Sequence, residues 1–149
     1  MIRIGVVGTG YLGRLHTRIA SEIPEVQLAG IVEMDDAVAR EVAESFHVRR
    51  FENVAALAKE VDCAVVATPT TTHFEVARAL LEAGRDVLVE KPIADEESAG
   101  RELVAIARRA DRVLQVGHVE RYNPAITAVA PLLRQIRYIE AERLGVFVG

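Results

Sequence analysis

The sequence predicts an α/β fold, a doubly wound parallel sheet with helices on both faces. Three observations carry that expectation. Short apolar runs alternate with segments of helical period along nearly the whole chain. The apolar runs are near-continuous, as in strands buried on both faces. A glycine-rich turn joins the first apolar run directly to the first helical segment.

The elements follow in order. Residues 2–8, IRIGVVG, read as the first strand, and residues 13–23 as a helix with Leu12, Leu15, Ile19 and Ile23 at helical spacing. VQLAGIVE (26–33) is a second strand and DDAVAREVAESF (35–46) a second helix. VRRF (48–51) reads as a short third strand, with a short helix over 53–60. DCAVVAT (62–68) is a fourth strand. The helix over 73–84 ends at Gly84, a residue suited to the left-handed stop. DVLVE (86–90) is a fifth strand. The helix over 95–110 carries acids in its first turn and Arg108 and Arg109 in its last, matching the helix dipole. VLQVG (113–117) is a sixth strand. A helical stretch over 123–136 has Pro124 near its first turn and Pro131 inside it, where a break is expected. A further strand pattern occupies 137–149. A dinucleotide-binding domain is thus expected over 1–136, with the start of a second, truncated domain at 137–149.

Composition excludes several classes. The 149 residues suffice for one sizeable core, and half of them are hydrophobic. The 18 basic and 22 acidic side chains leave a net charge of −4, which argues against a nucleic-acid partner. Cys63 is the single cysteine, so no internal disulfide is possible and a reducing compartment is expected. No apolar run approaches the roughly 20 residues of a membrane span, and no signal-peptide pattern opens the chain. The cytoplasm is the expected location and no membrane partner is expected. No cluster of cysteines and histidines has metal-ligand spacing, so no metal is expected.

GTGYLG (8–13) matches G-x-G-x-x-G as Gly8, Gly10 and Gly13, with Thr9, Tyr11 and Leu12 between them. Gly8 permits the tight turn, Gly10 lets backbone approach a pyrophosphate, and Gly13 allows close helix–strand packing. The helix start behind the loop offers free N–H groups and a positive dipole end. The pattern needs an acid about 20 residues on, at the end of the second strand. Glu33 stands 20 residues after Gly13, where a carboxylate would accept from both adenosine ribose hydroxyls and repel a 2′-phosphate. NAD is therefore expected over NADP, and Asp35 and Asp36 reinforce the bias.

ATPTTTH (67–73) ends the fourth strand, where ligands of open α/β sheets bind. Thr68 and Pro69 would pass along the cofactor. His73 would contact cofactor or substrate, or else make a local hydrogen bond at the helix start. VLVEKP (87–92) ends the fifth strand at the same sheet edge, with Glu90 beside Lys91 and Pro92 after it. A lysine there can hydrogen-bond a substrate hydroxyl and stabilise alkoxide charge, or relay a proton. His16, in the first helix, could approach the cofactor or simply pack. Cys63 reads as a small core residue.

Taken together these segments resemble the Gfo/Idh/MocA oxidoreductase family. The match runs in order through IGVVGTGYLGRLH, ATPTTTHFEVARALLEAGRDVLVEKP and GHVERYNPA. The resemblance implies that Lys91 is the catalytic lysine and that Thr68, Pro69, His73 and Glu90 line the nicotinamide side. His118, Arg121, Tyr122 and Asn123 would face a substrate. Arg121 would hold a phosphate or carboxylate, or else brace the loop. His118 with Asn123-Pro124 is similar to the branch that contains UDP-N-acetylglucosamine 3-dehydrogenases. A sugar or nucleotide-sugar substrate and a homo-oligomer are then implied. Family members carry a second α/β domain that supplies an Asp and a His. That domain is expected to be missing here, so the chain would act as a cofactor domain or a non-catalytic dinucleotide-binding module.

Overall fold

The computed structural model describes residues 1–133, 138 and 140. The described chain falls into two compact units, Met1–Gly117 and His118–Gly149, and each is treated by itself.

The first unit is built on five strands: β1 (Ile2–Val7), β2 (Val26–Val32), β3 (Cys63–Val66), β4 (Asp86–Val89) and β5 (Leu114–Val116). All pairings are parallel and the order is β2-β1-β3-β4-β5. The chain first steps from β1 outward to β2, then crosses back to β3 and continues the other way. That reversal opens a crevice beyond the carboxyl ends of β1 and β3, where ligands of such sheets bind.

Five helices make the connections: α1 (Tyr11–Glu22), α2 (Asp36–Ser45), α3 (Val54–Ala58), α4 (Thr70–Glu82) and α5 (Glu97–Ala110). Successive strand residues point to opposite faces, and at the centre of the sheet, through the second half of β1 and through β3, both faces are buried. Val7, Val66 and Val89 meet Leu57 of α3, Leu80 and Leu81 of α4 and Leu103 of α5 on one face. Val6, Ile31 and Val65 meet Val42 of α2 on the other. Each fully buried leucine contributes about 1.5–3 kcal/mol of burial free energy. The near-continuous apolar strands expected from sequence are the result of this two-sided burial.

Local chemistry sets several ends. Asp35 caps α2 by accepting from the Ala37 and Val38 amides, and Asn53 caps α3 through Ala56. Gly84, at φ +75°, closes α4 with Gly84 and Arg85 amides donating to the Leu81 and Leu80 carbonyls. Asp111 closes α5 in the left-handed region, after Arg108 and Arg109.

Three expectations are corrected. Residues 48–51 do not form a strand. They touch the sheet edge through one bridge, Ile31 with Arg50, flanked by two backbone hydrogen bonds. The segment is held instead by burial of Phe51 over Gly30, where a Cβ would clash at 2.2 Å, and Asn53 turns the chain into α3 at once. The fourth helical segment begins at Thr70 rather than 73, so His73 sits inside α4. The stretch from 123 is short: α6 (Pro124–Val129) passes into a 3-10 turn, Ala130–Leu132, that contains Pro131. An unforeseen 3-10 turn, Val119–Tyr122, precedes it. The remaining predicted helix, 134–136, and the strand and domain start expected over 137–149 lie outside the described residues, Tyr138 and Glu140 apart. Among the described residues no helix is long and apolar enough to cross a membrane.

Candidate functional site

Strand register brings the predicted residues of the first unit to one edge. The Gly8 amide donates to Val32 O at 2.8 Å, and Ala67 N to Val7 O at 2.9 Å. Glu90 N donates to Val66 O at 2.9 Å, and Gly117 N to Val89 O at 2.8 Å. The residues leaving all five strands therefore stand side by side.

A cleft of about 740 Å³ opens there. Gly8, Gly10, Tyr11, Leu12, Glu33, Thr68 and Pro69 line it, as the sequence predicts, together with Met34, Asp35, Thr72 and Val76. Thr9 and Gly13 sit beneath it, both buried.

The glycines divide the work. Gly8 adopts φ +82°, a conformation that side chains rarely take, and an added Cβ would stand 2.8 Å from Ala67 O. Gly13 lies against the loop itself, 1.9 Å from Gly8 O if it carried a Cβ. At Gly10 a Cβ would meet nothing within 4 Å, so this position faces open cleft. Gly10 also begins α1 with no side-chain cap and no acid in the first turn. The helix N–H groups and dipole are thus left for an anion.

Glu33 is more than the acid at the end of β2. One carboxylate oxygen accepts from the Thr9 amide at 2.7 Å and the Thr9 hydroxyl at 3.0 Å. The other accepts from Met34 N at 2.7 Å and Asp35 N at 3.1 Å. Partial burial pushes its pKa up, but the Thr9, Asp35 and Met34 hydrogen bonds outweigh this and hold it below the usual glutamate range. The acid therefore stays ionised and is aimed by the glycine loop. Nothing in the sequence pattern marked Thr9 as its donor.

The threonine loop supplies an orphan. Thr68 Oγ1 is buried without a protein partner, at a position that lines the cleft. An uncapped helix start, an open Gly10, an ionised Glu33 and an unpaired Thr68 hydroxyl fit a dinucleotide: anion at the loop, ribose at the acid, polar group beside the hydroxyl.

Lys91 stands at the same sheet edge without lining this cleft, and its surroundings are arranged differently. The Lys91 side chain is exposed, and among the described residues its ammonium has no ion-pair partner. The Lys91–Pro92 bond is cis. Glu90 is only 6% exposed, and its carboxylate meets His16 Nε2 at 2.7 Å. His73 is 1% exposed, with Nδ1 2.8 Å from Pro92 O and Nε2 2.9 Å from Thr68 O. It ties the threonine loop to the turn that holds Lys91. Glu90 and His73 thus brace the edge of the cleft, and neither lines it.

His118, Arg121, Tyr122 and Asn123 belong to the second unit. His118 precedes the 3-10 turn, Arg121 and Tyr122 end it, and all three are exposed. Asn123 caps α6 by accepting from the Ala125 amide, and its side-chain NH2 donates to Glu120 at 2.7 Å.

Comparison with known proteins agrees with this architecture. Residues 2–118 match a family described as Gfo/Idh/MocA, "Oxidoreductase family, NAD-binding Rossmann fold". UDP-N-acetylglucosamine 3-dehydrogenase of Acidithiobacillus ferrooxidans is 40% identical over 151 residues, covering 98% of this chain and 46% of the relative. A crystal form of that enzyme superposes with TM-score 0.84 and 38% identity over 89% of this chain and 43% of the other. GenD2 from gentamicin A biosynthesis, in complex with NAD, gives TM-score 0.85 and 32% identity over 90% of this chain and 39% of the other. The chain therefore spans less than half the length of these relatives. The parallel sheet, the glycine loop with its aimed acid and the matched family together establish that this chain belongs to the Gfo/Idh/MocA oxidoreductases and carries their NAD-binding Rossmann domain.

Proposed function

We propose that this chain is the cofactor half of an NAD-dependent dehydrogenase that oxidises a sugar or nucleotide-sugar hydroxyl, with UDP-N-acetylglucosamine oxidised at C3 as the specific reading. One observation carries the catalytic part. An exposed lysine with no ion-pair partner among the described residues stands at the same sheet edge as a loop shaped for a dinucleotide. The 40% identity to a UDP-N-acetylglucosamine 3-dehydrogenase supports the substrate class.

The residues take these roles. Gly8, Gly10 and the start of α1 hold the pyrophosphate, with Tyr11 and Leu12 along it. Glu33 accepts from the adenosine ribose and disfavours a 2′-phosphate. Thr68 and Pro69 flank the nicotinamide side. Bound NAD supplies the hydride acceptor. Lys91 donates a hydrogen bond to the substrate oxygen and stabilises the negative charge that develops on it while the hydroxyl proton passes to solvent water. His118, Arg121, Tyr122 and Asn123 contact the substrate, with Arg121 suited to a phosphate. The intact protein is a cytoplasmic homo-oligomer in this reading.

Lys91 does not line the dinucleotide cleft, which favours a second reading: a dinucleotide-binding module without turnover. Titration of the chain with NADH and NADPH, followed by nicotinamide fluorescence, tests the shared part. Preferential NADH binding is expected; failure to bind either overturns both readings. Oxidation of UDP-N-acetylglucosamine by a form carrying the second domain then separates them.

A further inference from the structure

Glu90 is a buried carboxylate that the proposed chemistry does not use. Three segments enclose it. His16 on α1 meets one oxygen at 2.7 Å. The Lys91 backbone N–H reaches the other at 3.3 Å. Gly117, just after β5, lies against the carboxylate so closely that a Cβ there would stand 2.8 Å from Oε2. An ionised carboxylate only accepts, so His16 Nε2 carries the hydrogen of that contact. Glu90 turns inward to α1, while the Lys91 side chain is exposed and without an ion-pair partner among the described residues.

We propose that His16 is a positioning residue that sequesters the Glu90 carboxylate from the Lys91 ammonium and so keeps that ammonium free for an incoming hydroxyl. The inference rests on the reading of Lys91 as the reactive amine. Its physical basis is simple. A buried carboxylate with one long backbone hydrogen bond is poorly compensated and seeks a cation. Lys91, the next residue, is the adjacent one. His16 removes the incentive by giving Glu90 a partner on the far side. The device also links the dinucleotide helix to the lysine, since α1 supplies both Gly13 and His16.

The chain offers a direct readout, because Lys59 and Lys91 are its only lysines. Limited reductive methylation at neutral-to-alkaline pH, followed by mass spectrometry, gives the ratio of Lys91 to Lys59 modification with Lys59 as internal standard. His16→Ala is expected to lower the ratio about threefold, because a carboxylate brought beside an amine favours its unreactive ammonium form. His16→Gln, whose amide can donate to Glu90, restores most of it. His16→Ala with Glu90→Gln returns the ratio to the wild-type value. An unchanged ratio in His16→Ala, or a double variant as low as the single, overturns the proposal. Glu90→Gln alone decides the matter even if His16→Ala does not fold. A ratio within about twofold of wild type agrees with a carboxylate already sequestered, and a clear rise shows that Glu90 pairs with Lys91 in the native chain. The labelling needs no cofactor, so failure of NADH binding and failure of this inference are separate results.

Discussion

The glycine-loop end and the lysine end of this sheet edge are built in opposite ways. At the phosphate end, six consecutive residues and one acid do the work. Gly8, Gly10 and Gly13 shape a single loop, and Thr9 of that loop aims Glu33. At the lysine end, four distant segments converge. His16 comes from α1, Thr68 from the β3–α4 connection with His73 from the first turn of α4, Glu90 to Pro92 from the end of β4, and Gly117 from the end of β5. The first arrangement is local in sequence and tolerates little change in its backbone. The second is held by side chains whose partners lie up to 74 residues away. The glycine loop is thus shaped by short-range backbone geometry, and the surroundings of Lys91 by tertiary contacts.

Lys91→Ala should separate the two ends most sharply. In a form that carries the second domain, turnover is expected to fall by on the order of a thousandfold, with NADH affinity within about twofold of wild type. Retention of the full rate would remove Lys91 from the chemistry and leave the phosphate end as the only functional part.

A glycine pair tests the phosphate end alone. Gly13→Ala puts a Cβ 1.9 Å from the Gly8 carbonyl oxygen, a backbone contact that cannot yield cheaply. Urea unfolding should show a loss of about 3 kcal/mol or an unfolded chain. Gly10→Ala points into open space, so its urea midpoint should hardly move while NADH binding weakens by about tenfold. Equal losses of stability in the two variants would show that the loop is a packing feature without a ligand role.

Glu33→Gln should leave the fold intact and reduce the preference for NADH over NADPH by about tenfold, read from paired fluorescence titrations. The smallest expected effect concerns pH. Hydrogen bonds hold Glu33 below the usual range, so the folded pKa is depressed. Its contribution is complete above the unfolded value of about 4.3 and is lost only as pH falls through the folded value. The NADH preference should therefore agree within about twofold between pH 5.5 and 7.5. A preference that collapses at pH 5.5 would mean that Thr9 does not hold the ionised acid.

The comparison also explains what could be read in advance. Gly8, Gly10, Gly13 and Glu33 lie in a pattern whose spacing encodes strand, turn and helix, so their places followed from sequence. The strands followed as well, because burial on both faces writes an unbroken apolar run. Residues 48–51 misled for a different reason: VRRF has strand-forming residues at its ends but two arginines between them, not an unbroken apolar run. What holds it is Phe51 packed over Gly30, not a ladder. His73 was legible as a residue near the site, but the start of α4 at Thr70 buries it and gives both ring nitrogens to backbone carbonyls. His16 and Glu90 carried no joint signal at all, since no periodicity relates positions so far apart.

By itself the sequence determined the α/β class, the five strands that pair, the glycine loop, the acid at the end of β2 and the lysine at the end of β4. These depend on local backbone preference and on which residues must leave water, both of which are properties of short segments. Only the tertiary structure decided that Thr9 aims Glu33, that His73 ties the threonine loop to Pro92, and that the Glu90 carboxylate meets His16. Those choices rest on burial, which removes water as the competing partner. An enclosed polar group such as Glu90 or His73 then takes the partner that the packed strands and helices bring within reach.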